Sequence, residues 1–337
     1  MFDVLKCNLC GDCLVKCLYV DYSREKSIAE IQALINGEDA DILKECITCF
    51  ACDEYCERGA NPFDLINTLQ EERQSQTVDP EILKKFEPMW NSPTVVVEGE
   101  PGKPVLALCT VDPFLDPEML NHPLFEGMTT VKGKDYFCNF VLPHLLKGSE
   151  FEAAGRQFID NLAELNAKEV VFIHDECYAM ILQMEKKFGV KAPFKAVNIV
   201  ELMIRYLKKN KRQISKLNKR IAFQRSCSSR ANPKINKWVD EFCDLIGASR
   251  VKRQYDRECA LCCGASIIAL GKVEKTQEVQ GMNFQDAVSN EAEAFVCLCP
   301  VCQFSLKDIS AMNQFPDIFI VDLFRMALGE IPFPGTQ

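Results

Sequence analysis

The feature that most constrains this chain is a cysteine pattern that occurs twice near its N terminus. Residues 7–17 read CNLCGDCLVKC, and residues 46–56 read CITCFACDEYC. Both follow Cys-x-x-Cys-x-x-Cys-x-x-x-Cys, and each cysteine of the second run lies 39 residues after its counterpart in the first. Chains that bind two cubane iron–sulfur clusters use this spacing, with three thiolates of each cluster from one run and the fourth from the other.

We therefore predict two 4Fe–4S clusters in the N-terminal region. The predicted ligands are Cys7, Cys10, Cys13 and Cys56 for cluster 1, and Cys46, Cys49, Cys52 and Cys17 for cluster 2. Zinc knuckles also use Cys-x-x-Cys pairs, but tetrahedral zinc needs only two such pairs, and both runs carry further cysteines at fixed places. The proline that usually follows the fourth cysteine is replaced by Leu18 and Glu57. Since proline is not a ligand, the prediction stands.

The overall composition favours a metal protein over a disulfide scaffold. The chain has 337 residues, 19 of them cysteine, and enough apolar residues to build cores without disulfides. It begins MFDVLKCNLC, without a charged-then-apolar signal segment, and no apolar run approaches the length of a membrane span. A net charge of −9 argues against a nucleic-acid partner. We expect a reduced cytoplasmic protein without a transmembrane segment, either free or peripheral to a membrane complex.

The sequence pattern divides the chain into a helical N-terminal domain (1–75), a linker (76–104) and an α/β region. The linker is predicted from its five prolines and several turn residues. Beyond it, short apolar runs suited to buried strands alternate with helical patterns, which indicates α/β layers. The predicted strands are PVLALC (104–109), EVVFIH (169–174), RIAFQR (220–225) and AFVCLC (294–299).

The α/β region contains an internal repeat. Cys138 and Cys177 are 39 positions apart, and so are Cys263 and Cys302; this alignment sets His174 opposite Cys299. We predict two duplicated units, a first unit at 105–206 and a second unit at 215–337. The second unit has the complete motif: Cys227, then Cys262-Cys263-Gly264, then Cys299-x-x-Cys302. In the first unit, Phe137-Cys138-Asn139 stands where the second has Cys-Cys-Gly.

The motif of the second unit closely resembles the CCG domain of the heterodisulfide reductase family, found in its B subunit and its fused D subunit. The N-terminal domain resembles the C subunit of that family. The resemblance implies an α-helical ferredoxin-like domain followed by two pseudo-repeated CCG-type units. It also implies that one non-cubane iron–sulfur cluster is the catalytic centre. By resemblance, the ligands of this cluster are Cys227, Cys262, Cys263, Cys299 and Cys302.

What the resemblance implies for function is an oxidoreductase subunit of anaerobic metabolism that cleaves a disulfide substrate in two one-electron steps. The chain has no Gly-x-Gly-x-x-Gly after a strand and no phosphate loop, so we expect electrons to pass through a partner, a flavin-containing or other electron-transfer subunit. One alternative is an iron–sulfur relay for a flavoprotein dehydrogenase that exchanges electrons with quinone. Another is a zinc-stabilised interaction scaffold.

The remaining chemistry-bearing residues leave alternatives open. Cys109, Cys138, His174 and Cys177 of the first unit could form a Cys3His zinc site, a divergent cluster, or a buried remnant. Cys243 falls on an apolar helix stripe and is assigned to the core, and a vicinal Cys262–Cys263 disulfide would leave the other matched cysteines unexplained. His122 and His144 stand beside prolines in loop-like sequence and are assigned no role.

Overall fold

The N-terminal region is helical and folds around the two cysteine runs. The computed structural model describes residues 1–335. The helices of this region are α1 (Asp12–Val15), α2 (Arg24–Ile35), α3 (Ile42–Glu45), α4 (Ala51–Tyr55) and α5 (Pro62–Glu72). Helix α2 begins after Ser23, whose hydroxyl accepts a hydrogen bond from the backbone of Lys26. Its buried Ile31 and Leu34 pack with Ile66 of α5 in a small core, which holds the helices together.

Residues 76–104, which the sequence predicts as a linker, contain regular structure instead. Helix α6 (Pro80–Trp90) and strand β1 (Val95–Val97) lie within them. Pro80 stands at the first helical turn, where its missing N–H costs nothing, and Asp79 caps the helix by accepting from the backbone N–H of Glu81. Of the prolines that suggested a linker, Pro80 therefore marks the start of a helix, and Pro88 lies inside the same helix.

The first α/β unit is built on a five-stranded sheet. The further strands are β2 (Val105–Cys109), β3 (Thr129–Lys132), β4 (Glu169–Phe172) and β5 (Lys195–Asn198), and the helices are α7 (Phe151–Ala163), α8 (Asp175–Phe188) and α9 (Ile199–Lys209). The strand order is β1-β3-β2-β4-β5. All neighbours are parallel except β1, which pairs antiparallel with β3 and so joins the segment 76–104 to this sheet.

The second unit is built on a four-stranded, fully parallel sheet of order β7-β6-β8-β9. Its strands are β6 (Lys219–Gln224), β7 (Ala248–Arg250), β8 (Ala294–Cys297) and β9 (Asp317–Phe319). Its helices are α10 (Ile235–Ile246), α11 (Ala265–Ala269), α12 (Val273–Ser289), α13 (Pro300–Met312) and α14 (Ile320–Ala327). The part of the first sheet without β1 has the corresponding order, β3-β2-β4-β5.

The two units pack against each other through one shared hydrophobic core. Val171 and Val200 of the first unit belong to the same buried cluster as Phe223 and Phe324 of the second. Among the helices of residues 1–335, none combines the length and the apolar character that crossing a bilayer requires. The basic run 208–220 lies on the surface at the junction of the units, where several of its cations pair with glutamates.

The N-terminal region is attached to the second unit by a buried ion-pair cluster. Glu54 of α4 accepts from Arg225 (2.8 Å) and Arg230 (2.6 Å), whose side chains are only 1% and 5% exposed. The hydroxyl of Tyr55 donates to the carbonyl oxygen of Glu258 (2.9 Å). Two buried guanidinium groups thus share one carboxylate, whose own side chain is 24% exposed.

Replacing Glu54 should therefore destabilise the protein strongly. Glu54→Ala leaves two buried cations without their counter-charge, and we expect a loss of about 3 kcal/mol in the free energy of unfolding. Glu54→Gln, which keeps the acceptor oxygen, should lose less. Glu81→Ala, which breaks an exposed pair with Lys84, is the control and should change stability by less than about 0.5 kcal/mol. Denaturant titration followed by circular dichroism measures all three; equal losses for Glu54→Ala and Glu81→Ala would contradict this account.

Candidate metal centres

The four cysteines predicted to bind cluster 1 come together around one cavity. Cys7, Cys10, Cys13 and Cys56 all line it. Burial raises the pKa of the Cys13 thiol to about 12, and the neighbouring thiols of Cys56, Cys10 and Cys7 contribute in the same direction. The loop turns tightly at Gly11, whose φ of 75° begins helix α1. Cys10 is exposed, so this group of thiols lies at the molecular surface.

The cysteines predicted to bind cluster 2 form a second group, deeper in the protein. Burial raises the pKa of Cys46 to about 12, and the nearby thiols of Cys49 and Cys17 contribute in the same sense. Burial also raises the pKa of Cys52, whose neighbours include Cys46, Cys49 and Cys13 of the first group. The two groups are therefore adjacent, and Cys17 is a neighbour of Cys46 and Cys49 in the second group.

All five cysteines of the Cys-Cys-Gly motif line a third cavity. They are Cys227, Cys262, Cys263, Cys299 and Cys302. Cys227 follows strand β6 and Cys299 follows β8, which are neighbours at the centre of the second sheet. The carboxyl ends of parallel strands at the middle of such a sheet are where ligands bind in open α/β folds. We call this cavity the CCG cavity.

The roof of the CCG cavity comes from the segment that the sequence predicts as a linker. Phe86 and Met89 of helix α6 line it, together with apolar side chains of the first unit. The helix is held there by a hydrogen bond from the backbone N–H of Asp79 to the carbonyl oxygen of Ala269 (2.9 Å). The lining thus combines apolar side chains with the thiols, and it also includes the side chains of His144, His174 and Glu176.

Gly264 has a backbone conformation that requires glycine at this position of the Cys-Cys-Gly motif. Its φ is 102°, in the region that side-chain-bearing residues rarely adopt. A Cβ atom there would lie 2.8 Å from Thr276 Cγ2 and 2.9 Å from Gln280 Nε2 of helix α12. The Gln280 amide donates to the carbonyl oxygen of Cys263 (2.8 Å). Glycine is therefore needed for the turn and for close packing of α12 against the cysteine loop.

The loop that carries Cys227 is anchored by the first unit. The hydroxyls of Ser226 and Ser228 donate to Asp175 Oδ2 (2.8 and 2.7 Å), and the Asn198 amide donates to Asp175 Oδ1 (3.2 Å). Burial raises the pKa of Asp175, and these hydrogen bonds oppose the rise. The sequence alone gives no sign of this role for Asp175, because its serine partners are about fifty residues away along the chain.

The loop that carries Cys46 and Cys49 (the cluster 2 loop), together with Tyr19, lies directly against the loop that carries Cys262 and Cys263 (the CCG loop). The backbone N–H of Cys262 donates to the hydroxyl oxygen of Tyr19 (2.7 Å), and Cys49 is also a close neighbour of that ring. The hydroxyl of Ser266 donates to the carbonyl oxygen of Ile47 (3.1 Å). Side chains and backbone of the two loops therefore share hydrogen bonds, with no intervening layer of structure.

The first unit brings together the four residues singled out from the repeat. One ligand atom from each of Cys109, Cys138, His174 and Cys177 lies within 4.8 Å of the others, and all four residues are buried. Nδ1 of His174 has no hydrogen-bond partner in the described part of the chain, 1–335. Three thiols and an unpartnered imidazole nitrogen are a donor set that fits a metal ion. Nε2 of His174 lies 3.3 Å from Cys299 Sγ, so this set adjoins the CCG cavity.

His144, to which the sequence assigned no role, also lines the CCG cavity. Its Nε2 is 3.4 Å from Cys227 Sγ and its Nδ1 is 3.0 Å from Thr48 Oγ1. Burial lowers the pKa of His144 to about 4. No local signal marks this residue, because its two contacts are 83 and 96 positions away in sequence. His122, which is also buried, instead pairs with Glu330 (3.1 Å) and contacts Phe324 of the second unit.

Three cysteines, Cys243, Cys259 and Cys297, lie outside the candidate ligand sets. Cys243 is buried on helix α10 within the shared core, as its helix stripe predicts. Cys297 is buried at the end of β8, and Cys259 is only half-buried. None of the 19 cysteines forms a disulfide. Since burial keeps many of the grouped thiols protonated, metal binding at these sites has to displace protons.

Comparison with known proteins finds similarity in the second unit and along most of the chain. Residues 221–307 match the family model of the CCG cysteine-rich domain. The chain is also similar to the D subunit of the dihydromethanophenazine:CoB–CoM heterodisulfide reductase of Methanosarcina mazei. The two are 21% identical over 308 residues, which cover 80% of this chain and 74% of that relative.

Among solved structures, the chain resembles a hypothetical protein from Helicobacter pylori, with a TM-score of 0.58 and 12% sequence identity. That alignment covers 83% of this chain but only 60% of the other, and it indicates a shared fold. Aspartate racemase from Picrophilus torridus aligns with a TM-score of 0.33 and 12% identity, over 68% of this chain and 95% of the racemase, too weakly to indicate a shared fold. The family match and the alignment with the Methanosarcina protein together support a protein similar to heterodisulfide reductases, and in particular to their D subunit.

Proposed function

We propose that this chain is an electron-transfer subunit that reduces a thiol disulfide in the CCG cavity. The cysteine-rich domain and the resemblance to the Methanosarcina reductase support an iron–sulfur subunit associated with an oxidoreductase. The observation that carries the finer proposal is the CCG cavity itself. Five thiols line one largely apolar cavity, and the loop of the second cysteine group lies directly against it.

The proposal assigns three groups of ligands to three clusters. Cluster 1 and cluster 2 are 4Fe–4S clusters held by the two N-terminal groups of cysteines. The five CCG cysteines hold a non-cubane cluster. Bound iron–sulfur clusters supply one-electron chemistry, and their iron has high affinity for sulfur.

The positions of the thiols support a path through the protein. Cys10 of the first group is exposed, and Cys13 lies beside Cys52 of the second group. Tyr19 then lies between Cys49 and Cys262 of the CCG cavity. A chain of three sites from surface to cavity fits a subunit that receives electrons at one end and uses them at the other.

The partner would dock where the first group reaches the surface. Val4 and Leu5 next to this group are 52% and 94% exposed. A flavin-containing or other electron-transfer subunit that covers these side chains would bring its own redox centre near Cys10. The chain itself then needs no nucleotide site.

The reaction in the cavity balances as one disulfide plus two electrons and two protons, giving two thiols. The sulfur–sulfur bond breaks, and both electrons come from the partner. The apolar walls, including Phe86 and Met89, exclude water from the sulfur atoms. The Asp175 anchor holds the Cys227 loop against this cavity.

The first unit, in this proposal, holds zinc. Cys109, Cys138, His174 and Cys177 make a Cys3His set of the kind that binds tetrahedral zinc in closed structural sites. Such an ion would brace the wall of the CCG cavity without taking part in electron transfer.

The two N-terminal groups should each account for one cubane. Replacing Cys10 or Cys49 with serine removes one thiolate, and we expect each variant to lose about one cluster's share of iron, roughly four atoms. Iron and sulfide analysis with EPR of the reduced protein measures the loss. Cys243→Ser, in the core of the second unit, is the control. Unchanged iron content in both variants would refute the assignment.

Turnover should depend on the CCG cysteines specifically. Cys262→Ala and Cys263→Ala should abolish disulfide reduction by reduced viologen while the EPR signals of both cubanes remain normal. Gly264→Val should lose part of the activity, because its side chain would collide with α12. If the wild-type protein reduces no low-molecular-weight disulfide under these conditions, the reductase function is wrong and an electron relay remains.

A substitution in the Cys109, Cys138, His174 and Cys177 set should change the zinc content of the protein and leave its iron content unchanged. Cys138→Ala removes one of three thiols, so we expect the loss of one zinc per chain with the iron content unchanged. Metal analysis by mass spectrometry after anaerobic purification distinguishes the two metals. Loss of several irons in this variant would show that the first unit carries a cluster of its own.

A further inference from the structure

The first unit contributes two of the chain's three histidines to the CCG cavity. Nε2 of His144 is 3.4 Å from Cys227 Sγ, and Nε2 of His174 is 3.3 Å from Cys299 Sγ. Both contacts join the first unit to cysteines of the second. His174 already belongs to the buried set with Cys109, Cys138 and Cys177, whereas His144 belongs to no other candidate metal set within residues 1–335.

The hydrogen bonds around His144 favour the tautomer that carries the proton on Nδ1. The Thr48 hydroxyl has a single proton, which it donates to the carbonyl oxygen of Ile47 (2.7 Å). Thr48 Oγ1 is therefore left to accept from Nδ1–H of His144 (3.0 Å). In the neutral ring, Nε2 then presents its lone pair towards Cys227.

This tautomer is the one that metal-binding histidines use. A ligating imidazole donates its other N–H to a fixed acceptor, which sets the ring orientation and increases its basicity. Thr48 supplies that acceptor, and its own position is fixed by the cluster 2 loop, between Cys46 and Cys49. His144 is thus held in place from outside the CCG cavity.

The spacing of the donor atoms agrees with shared ligation. Two ligands of one tetrahedral metal, with sulfur about 2.3 Å and nitrogen about 2.1 Å from it, lie roughly 3.6 Å apart. The distance between His144 Nε2 and Cys227 Sγ is 3.4 Å. Little movement of either side chain is needed for both atoms to bind the same iron.

We propose that His144 is a sixth protein ligand of the cluster in the CCG cavity, binding through Nε2 beside Cys227. This inference rests on the proposed function, because it requires a cluster at the five CCG cysteines. It gives the first unit a direct role in the site of the second. It also links that site to the cluster 2 loop through a single side chain, by way of Thr48.

Because the chain has only three histidines, isotope labelling of histidine can identify which one binds the cluster. The full-length protein is produced with 15N-labelled histidine and examined by hyperfine EPR spectroscopy (HYSCORE) in each paramagnetic state reached by redox titration. Because the predicted cubane ligands are all cysteines, strong coupling to labelled nitrogen would come from the CCG cavity alone. We expect such coupling in the wild type, its loss in His144→Gln, and its retention in His122→Gln, a buried histidine paired with Glu330.

A second variant guards against misfolding of His144→Gln. Thr48→Val keeps His144 but removes the acceptor of its Nδ1–H, so we expect the nitrogen coupling to persist with a changed magnitude. Thr48→Ser restores the acceptor and should restore the wild-type value. 57Fe Mössbauer spectra, which also detect diamagnetic clusters, should show a shifted doublet for one iron site in His144→Gln.

Several outcomes would overturn the proposal. These are a CCG signal without histidine coupling in the wild type, coupling that persists in His144→Gln, or coupling lost in His174→Gln but not in His144→Gln. If cubane signals are normal but neither EPR nor Mössbauer spectra show a further cluster, the proposed function itself fails and His144 ligation fails with it. The presence or absence of that further cluster distinguishes the two failures.

Discussion

The contact between the cluster 2 loop and the CCG loop is the interaction on which the rest of this structure depends. It is fixed by the Glu54 carboxylate, which two buried arginines of the second unit share. Because Glu54 lies between Cys52 and Cys56 in sequence, the short helix α4 carries both Cys52, a predicted cluster ligand, and the attachment to the second unit. Relative movement of the two regions would therefore break a buried ion-pair cluster, which is strongly unfavourable.

The two α/β units have the same strand order but different parts in the site. In the second unit, strands β6 and β8 lead directly into CCG cysteines, and Gly264 allows the intervening loop to approach helix α12. In the first unit, Cys109 lies at the end of the central strand β2. Other side chains of the first unit contact the CCG cavity of the second unit. Asp175 anchors the Cys227 loop, and His144 and His174 face the cavity.

The sequence predicts the parts of this arrangement that depend on local patterns. The cysteine spacings predict both N-terminal groups, and the four apolar runs coincide with β2, β4, β6 and β8. Helix α6 was missed because its prolines resemble those of a linker, although Pro80 occupies a position that helices tolerate. His144 was missed because Thr48 and Cys227 meet it only after three distant segments pack together. Such contacts leave no periodic signal in one sequence.

The measurement that tests the central claim most directly is a single-turnover experiment on the reduced protein. The chain is reduced by stoichiometric viologen, mixed anaerobically with a small disulfide, and frozen at intervals for EPR while free thiols are counted. If the three sites form one path that ends at the CCG cavity, the cubane signals disappear as thiols form, with two electrons lost per disulfide cleaved. Cubanes that stay reduced while the disulfide is consumed, or a disulfide that stays intact while the cubanes are oxidised, would contradict the account.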